Sequence, residues 1–332
     1  MEFDKPIALV IGINHYLGYR SLKGAVGDAC DMERWLVEQQ GLPKNNIRRL
    51  LSPDPRPKDD QLQEFVPISQ QVHDWLNILD VEAKRNGQDF PLGPRVYVMF
   101  AGHGYNAASA QQTAIFANTS INYWDVIPIV PLKTYLENSA YFKEVVIISD
   151  ACRDVFDYPP EPGWTRRIKT DKNSAKVKVF QAYGSKAGQK SKEQDFGGGV
   201  FRGVMSQAFL RGVKGAARDE SGLVTGVKLK NFIKSAVISE LGDSFKPEII
   251  EGDDFIMCKV DEEVTTRLHI VPEKITTGTA QLVLHDGNRS VAIDLAAGKQ
   301  EFDIPIGQYT LTTPDGTSQS FAAIWEKKDV IV

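Results

Sequence analysis

The first half of the chain alternates between two hydrophobic periods. Ile7–Ile13, Val96–Phe100 and Val145–Ile148 are nearly unbroken apolar runs, the pattern of strands buried on both faces of a parallel sheet. Ile47–Leu51 is a shorter strand of the same set. Between these runs the period lengthens. Ala25, Ala29, Met32 and Leu36 recur at i, i+4, i+7 and i+11, which predicts a helix over Val26–Gln40. Ile68, Val72, Trp75, Leu76 and Leu79 predict a second helix, opening just after Pro67. Pro131–Glu137 predicts a third. Strands alternating with helices in this way argue for a parallel sheet with right-handed crossovers.

The second half is less regular. Tyr105–Gln112 is small and polar and reads as a loop, followed by a short hairpin strand at Thr113–Ala117. Asp157–Lys172, rich in proline and basic residues, reads as an exposed loop. Lys176–Tyr183 alternates as a strand, and Ser185–Gly199 is a long polar, Gly-rich loop. Two helical stripes follow, Phe201, Val204, Met205, Ala208, Phe209 and then Leu229, Phe232, Ile233, Ala236, Val237. Glu248–Cys258 closes the region as a strand. From Val264 onward, short alternating runs are separated by Asp286-Gly287, Ala297-Gly298 and Asp315-Gly316, the spacing of an antiparallel sandwich. The expected organisation is therefore an α/β domain over 1–260 and a small all-β, sandwich-like domain over 264–332.

Composition narrows the function class without naming one. A chain of 332 residues with 42% hydrophobic and 25% charged residues has the makeup of a soluble globular protein. A net charge of −4 gives no case for nucleic acid or anionic membranes as partners. No apolar run approaches the roughly 18 residues of a membrane span. Met1–Lys5 lacks the basic start and apolar core of a secretory signal. Cys30, Cys152 and Cys258 form neither a disulfide framework nor a metal-ligand set, so a reducing, cytoplasmic setting is expected and no metal site is assigned.

The chemistry gathers at two strand ends. Val145–Ile148 stops at Ser149-Asp150, and Cys152 follows; Val96–Phe100 runs into Ala101-Gly102-His103-Gly104. Open α/β sheets bind ligands beyond the carboxyl ends of their strands, so neighbouring strands would bring His103 and Cys152 to one edge. Cys152 follows His103 by 49 residues, a spacing met in caspases. A thiolate is a strong nucleophile, and an imidazole beside it can take its proton and later protonate a leaving amine. The backbone N–H groups of Gly104 and Cys152 are the natural donors for a developing oxyanion. No side chain stands out as a third member, so the assignment is a dyad.

Ala101-Gly102-His103-Gly104 and Asp150-Ala151-Cys152-Arg153 resemble the His and Cys motifs of the caspase-like cysteine peptidases, nearest to metacaspases and bacterial caspase homologues. Ile11–Tyr16 with Leu22–Ala29 looks like that family's first strand and following loop, and Gln181–Gln189 with Gly198–Phe201 its small-subunit region. The resemblance covers about residues 5–258 and implies the caspase-like fold, a mostly parallel sheet flanked by helices. Ala25 and Ala101 stand where metacaspases often carry Cys and Ser. The resemblance further implies that Asp28 and Asp150 line the pocket for the residue before the cut, where two carboxylates would hold Arg or Lys. Asp28 would also suit the cap of the first helix, a role that can coexist with the pocket one.

The resemblance thus implies an endopeptidase with an acyl-enzyme on Cys152. It also implies self-cleavage beside Arg166 or Arg167, and a role in regulated cell death or defence by analogy. The expected partners are a protein substrate with exposed Arg or Lys and a regulatory protein reached through the C-terminal domain. No cofactor is required. Calcium activation, through the acidic runs at 251–254 and 261–263, is a weaker implication. Two alternatives stand beside this reading: a catalytically silent scaffold of the same fold, and an Asn-specific peptidase of the legumain type.

Overall fold

A computed structural model describes residues 4–52, 65–87, 89–107, 112–153, 162–167, 169–251, 255–261, 264–284, 290–323 and 327–331. The chain forms two compact units, Met1–Leu210 with Phe245–Ile256, and Arg211–Ser244 with Met257–Val332.

The first unit is built on a six-stranded sheet. Its strands are β1 (Ile7–Ile13), β2 (Ile47–Ser52), β3 (Arg95–Ala101), β7 (Glu144–Asp150), β8 (Lys178–Tyr183) and β12 (Glu248–Glu251), ordered β12-β8-β7-β3-β1-β2. All pairs are parallel except β12 with β8. Helices cover both faces, which is why the strands read as continuous apolar runs. On one face α2 (Ser69–Asn86) and α3 (Ile129–Ser139) bury Val72, Trp75, Leu76, Leu132 and Leu136 in a core shared with Leu9, Val98, Phe100 and Ile147. On the other, Trp35 of α1 (Ala25–Glu38) packs edge-on against Tyr97 and against Phe209 of α4 (Val204–Arg211). Adjacent residues of β3, Tyr97 and Val98, thus serve opposite layers, as period-two alternation requires.

Several loops of the sequence reading carry strands. Tyr105–Gln112 is not simply a loop: β4 (Gly104–Asn106), β5 (Gln112–Ile115) and β6 (Val126–Pro128) form a three-stranded antiparallel sheet. Ser185–Gly199 likewise contains β9 (Glu193–Asp195), paired antiparallel with β10 (Phe201–Gly203). Phe201 therefore belongs to a strand rather than to the helix that its apolar stripe suggested. Strands of three residues are too short to show a period, so these local hairpins leave no signal in the hydrophobic pattern.

The second unit holds β11 (Leu223–Thr225), α5 (Gly226–Leu241), β13 (Ile256–Lys259) and the C-terminal strands. The single strand expected over Glu248–Cys258 is two, β12 and β13, the latter paired with β11. The C-terminal strands are β14 (Thr265–Val271), β15 (Thr279–Leu284), β16 (Ser290–Asp294), β17 (Gln300–Pro305), β18 (Gly307–Thr312), β19 (Ser318–Ala323) and β20 (Lys327–Ile331). They form two sheets, β17-β14-β20 and β16-β15-β18-β19, around Leu268, Ile270, Leu282, Ile293, Leu311 and Phe321. One pair, β14 with β20, is parallel, so the arrangement is sandwich-like without being wholly antiparallel. The expected boundary at 260–264 differs from this division, because α5 packs against β19 and clusters with the C-terminal strands.

Among the described residues, no helix is long and apolar enough to cross a membrane. The acidic runs considered for calcium lie largely outside the described residues, at 252–254 and 262–263.

Candidate active site

The register of β3 against β7 sets the site. Ala101 pairs with Asp150 across the two parallel strands, and the backbone N–H of Gly102 donates to the Asp150 carbonyl at 3.3 Å. His103 and Cys152 each lie two residues beyond that pair, so both leave the sheet at one edge. Both line a single cleft of about 390 Å³, with Leu22, Asp28, Asp150, Ser191, Glu193 and Gly203 among the other lining residues.

The backbone of Gly104 lies directly against this turn. A β-carbon at 104 would sit 2.9 Å from the Cys152 carbonyl oxygen and 2.9 Å from the Ala151 methyl. Only glycine allows that approach. Buried Gln112 braces the turn, its Nε2 donating to the Ala151 carbonyl at 3.1 Å.

His103 is oriented by the segment that leaves β1. Its Nε2 lies 2.6 Å from the carbonyl oxygen of Arg20. A carbonyl only accepts, so Nε2 carries the proton and Nδ1 of the neutral ring is the acceptor. The His103 backbone N–H donates to the Tyr16 hydroxyl at 2.7 Å, and the Tyr16 ring lies 4.8 Å from the imidazole. Burial holds the imidazole below its usual range, partly opposed by the Arg20 hydrogen bond and the Glu193 charge. Asn14 shapes the segment: its Nδ2 donates to the Lys23 carbonyl at 3.3 Å and its Oδ1 accepts from Val26 N–H at 3.1 Å. That second bond caps α1, the duty that Asp28 was thought to suit. Asp28 instead lies within the helix's first turn. The Cys152 sulfur is 3.8 Å from the Ser191 carbonyl oxygen.

Three carboxylates line the cleft. Asp28 is buried, with Oδ2 accepting from Gly203 N–H at 2.8 Å and Oδ1 from Gln207 Nε2 at 3.3 Å. Asp150 is also buried; it accepts from the Ser206 N–H at 2.9 Å, the Ser206 hydroxyl at 2.8 Å and the Ser191 hydroxyl. Gly203 passes between the two, where a β-carbon would collide with the Asp150 carboxylate. Burial raises both carboxyls above their usual range, Asp28 well above it, where the Asp150 charge adds to the effect. The third is Glu193 on β9, which accepts from Gly24 N–H at 2.8 Å and from Lys23 N–H at 3.1 Å. Sequence reasoning passed over Glu193 because Lys192-Glu193-Gln194-Asp195 has the look of a solvated polar run. Arg20 contributes only a carbonyl, which has no side-chain signature at all.

The two arginines singled out for self-cleavage differ sharply. Arg166 is held against α2 and α3. It pairs with the Asp80 carboxylate, donates to Asn77 Oδ1 at 2.7 Å and to the His73 carbonyl at 3.3 Å, and lies 5.0 Å above the Tyr135 ring. Arg167 is exposed.

Comparison with known proteins follows from this geometry. A probable protease of a Desulfuromonadales bacterium is 25% identical over 362 residues, an alignment covering 94% of this chain and 42% of that relative. The chain thus spans about two fifths of that relative's length. Among solved structures, caspase-1 from Spodoptera frugiperda aligns with a TM-score of 0.49 at 12% identity, over 78% of this chain and 92% of that one. The family model described as the caspase domain matches residues 5–231, well over half of the chain and all of the residues just described around the cleft. The protein belongs to the caspase-domain family of peptidases.

Proposed function

We propose that the protein is a cysteine endopeptidase that cleaves after Arg or Lys, with Cys152 as nucleophile and His103 as its acid–base partner. The observation that carries the specificity is the set of three carboxylates, Asp28, Asp150 and Glu193, lining the cleft that also holds the thiol. A guanidinium or ammonium entering this cleft replaces its hydration with charge-assisted hydrogen bonds. Acidic side chains are repelled, and the neutral carboxamide of Asn gains far less, which disfavours the legumain-type alternative.

The chemistry runs through His103 Nδ1, since Nε2 is engaged by Arg20. Nδ1 takes the thiol proton as sulfur attacks the scissile carbonyl, and negative charge moves to the carbonyl oxygen. The N–H groups of Gly104 and Cys152 are the donors assigned to that oxyanion. On collapse the C–N bond breaks, His103 returns its proton to the leaving amine, and a thioester remains. Water, deprotonated by the same imidazole, then releases the acid and regenerates the thiol.

Self-processing fits the same specificity, with Arg167 the suitable site. Its side chain is exposed, whereas Arg166 would have to abandon its ion pair before entering any pocket. The test of the main reading is a set of fluorogenic peptides differing only in the residue before the leaving group. Arg and Lys substrates are expected to turn over, and Asp and Asn substrates to be nearly inert. Equal turnover of all four would refute the reading.

A further inference from the structure

On the histidine side of the cleft lies an apolar wall that the mechanism leaves unused. Leu17 N–H donates to the Ala117 carbonyl at 2.8 Å and Gly18 N–H to the Thr119 carbonyl at 2.9 Å, strapping the segment before Arg20 along the chain that follows β5. That strap places the Tyr19 ring 6.0 Å from the His103 imidazole and 5.8 Å from the Trp124 indole. Both rings are only partly buried. Trp124 is backed in turn by the buried Tyr105 at 5.3 Å. The turn between Ser120 and Tyr123 carries the shelf outward, closed by hydrogen bonds of 2.7 and 3.3 Å between those two residues. On it Ile121 is 87% exposed and Tyr123 56%, while Leu17 on the strap is 53% exposed. Exposed large apolar groups clustered beside a catalytic cleft mark a binding surface rather than chance.

We infer that this shelf is a subsite for the leaving half of the substrate, taking an aliphatic or aromatic side chain just after the scissile bond. The inference rests on the proposed cleavage and follows from where the proton must go. His103 protonates the leaving nitrogen, so the peptide beyond that nitrogen departs on the histidine side, over Tyr19 and Trp124. The carboxylates occupy the part of the cleft assigned to the residue before the cut, so the two halves meet surfaces of opposite chemistry. The preferred site is therefore a cation followed by an apolar residue. Burying part of one such side chain on an aromatic surface corresponds to about tenfold in kcat/KM.

The experiment uses the full chain and quenched peptides that vary only after the Arg, with Leu, Phe, Gly and Asp compared. A peptidyl-arginine methyl ester, which has no residue there, is run in parallel. Leu and Phe peptides are expected to exceed Gly and Asp by about tenfold in kcat/KM. In Ile121→Asp and in Tyr19→Ala the Leu/Gly ratio is expected to fall to about twofold or less. The ratio is internal to each variant, so altered folding or catalytic power cancels. A flat profile in the wild type with the ester still hydrolysed overturns the shelf alone, as does a ratio unmoved by both substitutions. If neither ester nor peptide is cleaved after Arg, the underlying cleavage reading falls and the shelf with it.

Discussion

Nε2 of His103 lies 2.6 Å from the carbonyl oxygen of Arg20, so a main-chain atom from the β1 side orients the imidazole. A carbonyl cannot accept a proton under these conditions; it only selects the tautomer. In the proposed mechanism proton transfer therefore passes through Nδ1 and the Cys152 thiol. His103→Ala and Cys152→Ala are each expected to lower kcat on arginyl peptides by about 10³-fold or more. Both should leave the melting temperature close to wild type. A loss below about tenfold in either would remove that residue from the mechanism.

The pH dependence should separate into two parts. Burial holds the His103 imidazole low, so the base stays neutral below the ordinary value of 6.5 and kcat keeps its acidic limb on that side. Asp28 and Asp150 move the other way, so they take up protons at a higher pH than exposed carboxylates do. Binding of a cation weakens as they are neutralised, and KM for arginyl peptides is expected to climb as pH falls. Steady-state kinetics between about pH 5 and 8 resolves the two. A KM that stays flat over that window would mean the carboxylates do not hold the substrate cation.

Asp28 should also trade stability for function. Its folded-state carboxyl lies well above the ordinary range because it is buried beside Asp150. The folded protein therefore binds that proton more tightly than the unfolded chain. The resulting stabilisation is complete below the ordinary carboxylate value and is lost as pH rises through the raised one. Above that raised value the ionised group opposes folding. Asp28→Asn is expected to raise the neutral-pH melting temperature by about 2–4 °C, the shift of ~1 kcal/mol in a domain of this size. The same variant should lose about tenfold or more in kcat/KM on arginyl peptides. A lower melting temperature would show that the Gly203 and Gln207 hydrogen bonds outweigh the burial cost.

Arg166 and Arg167 should behave differently on incubation of the purified protein. Arg166→Ala strips the cation from Asp80, which keeps the Tyr135 and Tyr141 hydroxyl donors, and is expected to cost about 1–2 kcal/mol. Arg167→Ala should be nearly neutral for stability and should abolish a new terminus after residue 167. Mass spectrometry of termini, with Cys152→Ala as the uncut control, checks both. Cleavage after 166 in the wild type would mean that the ion pair opens readily.

Much of this protein was legible in the amino-acid order. The apolar runs of β1, β3 and β7 and the stripes of α1 and α2 predict their elements closely, because burial on both faces or on one stripe leaves a strong local period. The motifs around His103 and Cys152 were equally plain, since each sits directly after such a run. The short strands β4, β9 and β10 were not. Each is a three-residue arm of a local hairpin, and three residues carry no period.

The residues that complete the cleft show the same division. Asp28 and Asp150 were found through motifs that adjoin the first helix and the cysteine. Glu193 comes near them only because β9 pairs with β10, which places Gly203 beside both aspartates and Glu193 opposite Gly203. Arg20 enters through its carbonyl, whose position depends on Asn14 and on the strap from Leu17 to Ala117. Local sequence determines which groups can react and which elements carry them. Their meeting at one sheet edge is decided by strand register and by loops held through long-range hydrogen bonds, whose energy appears only once distant parts of the chain have come together.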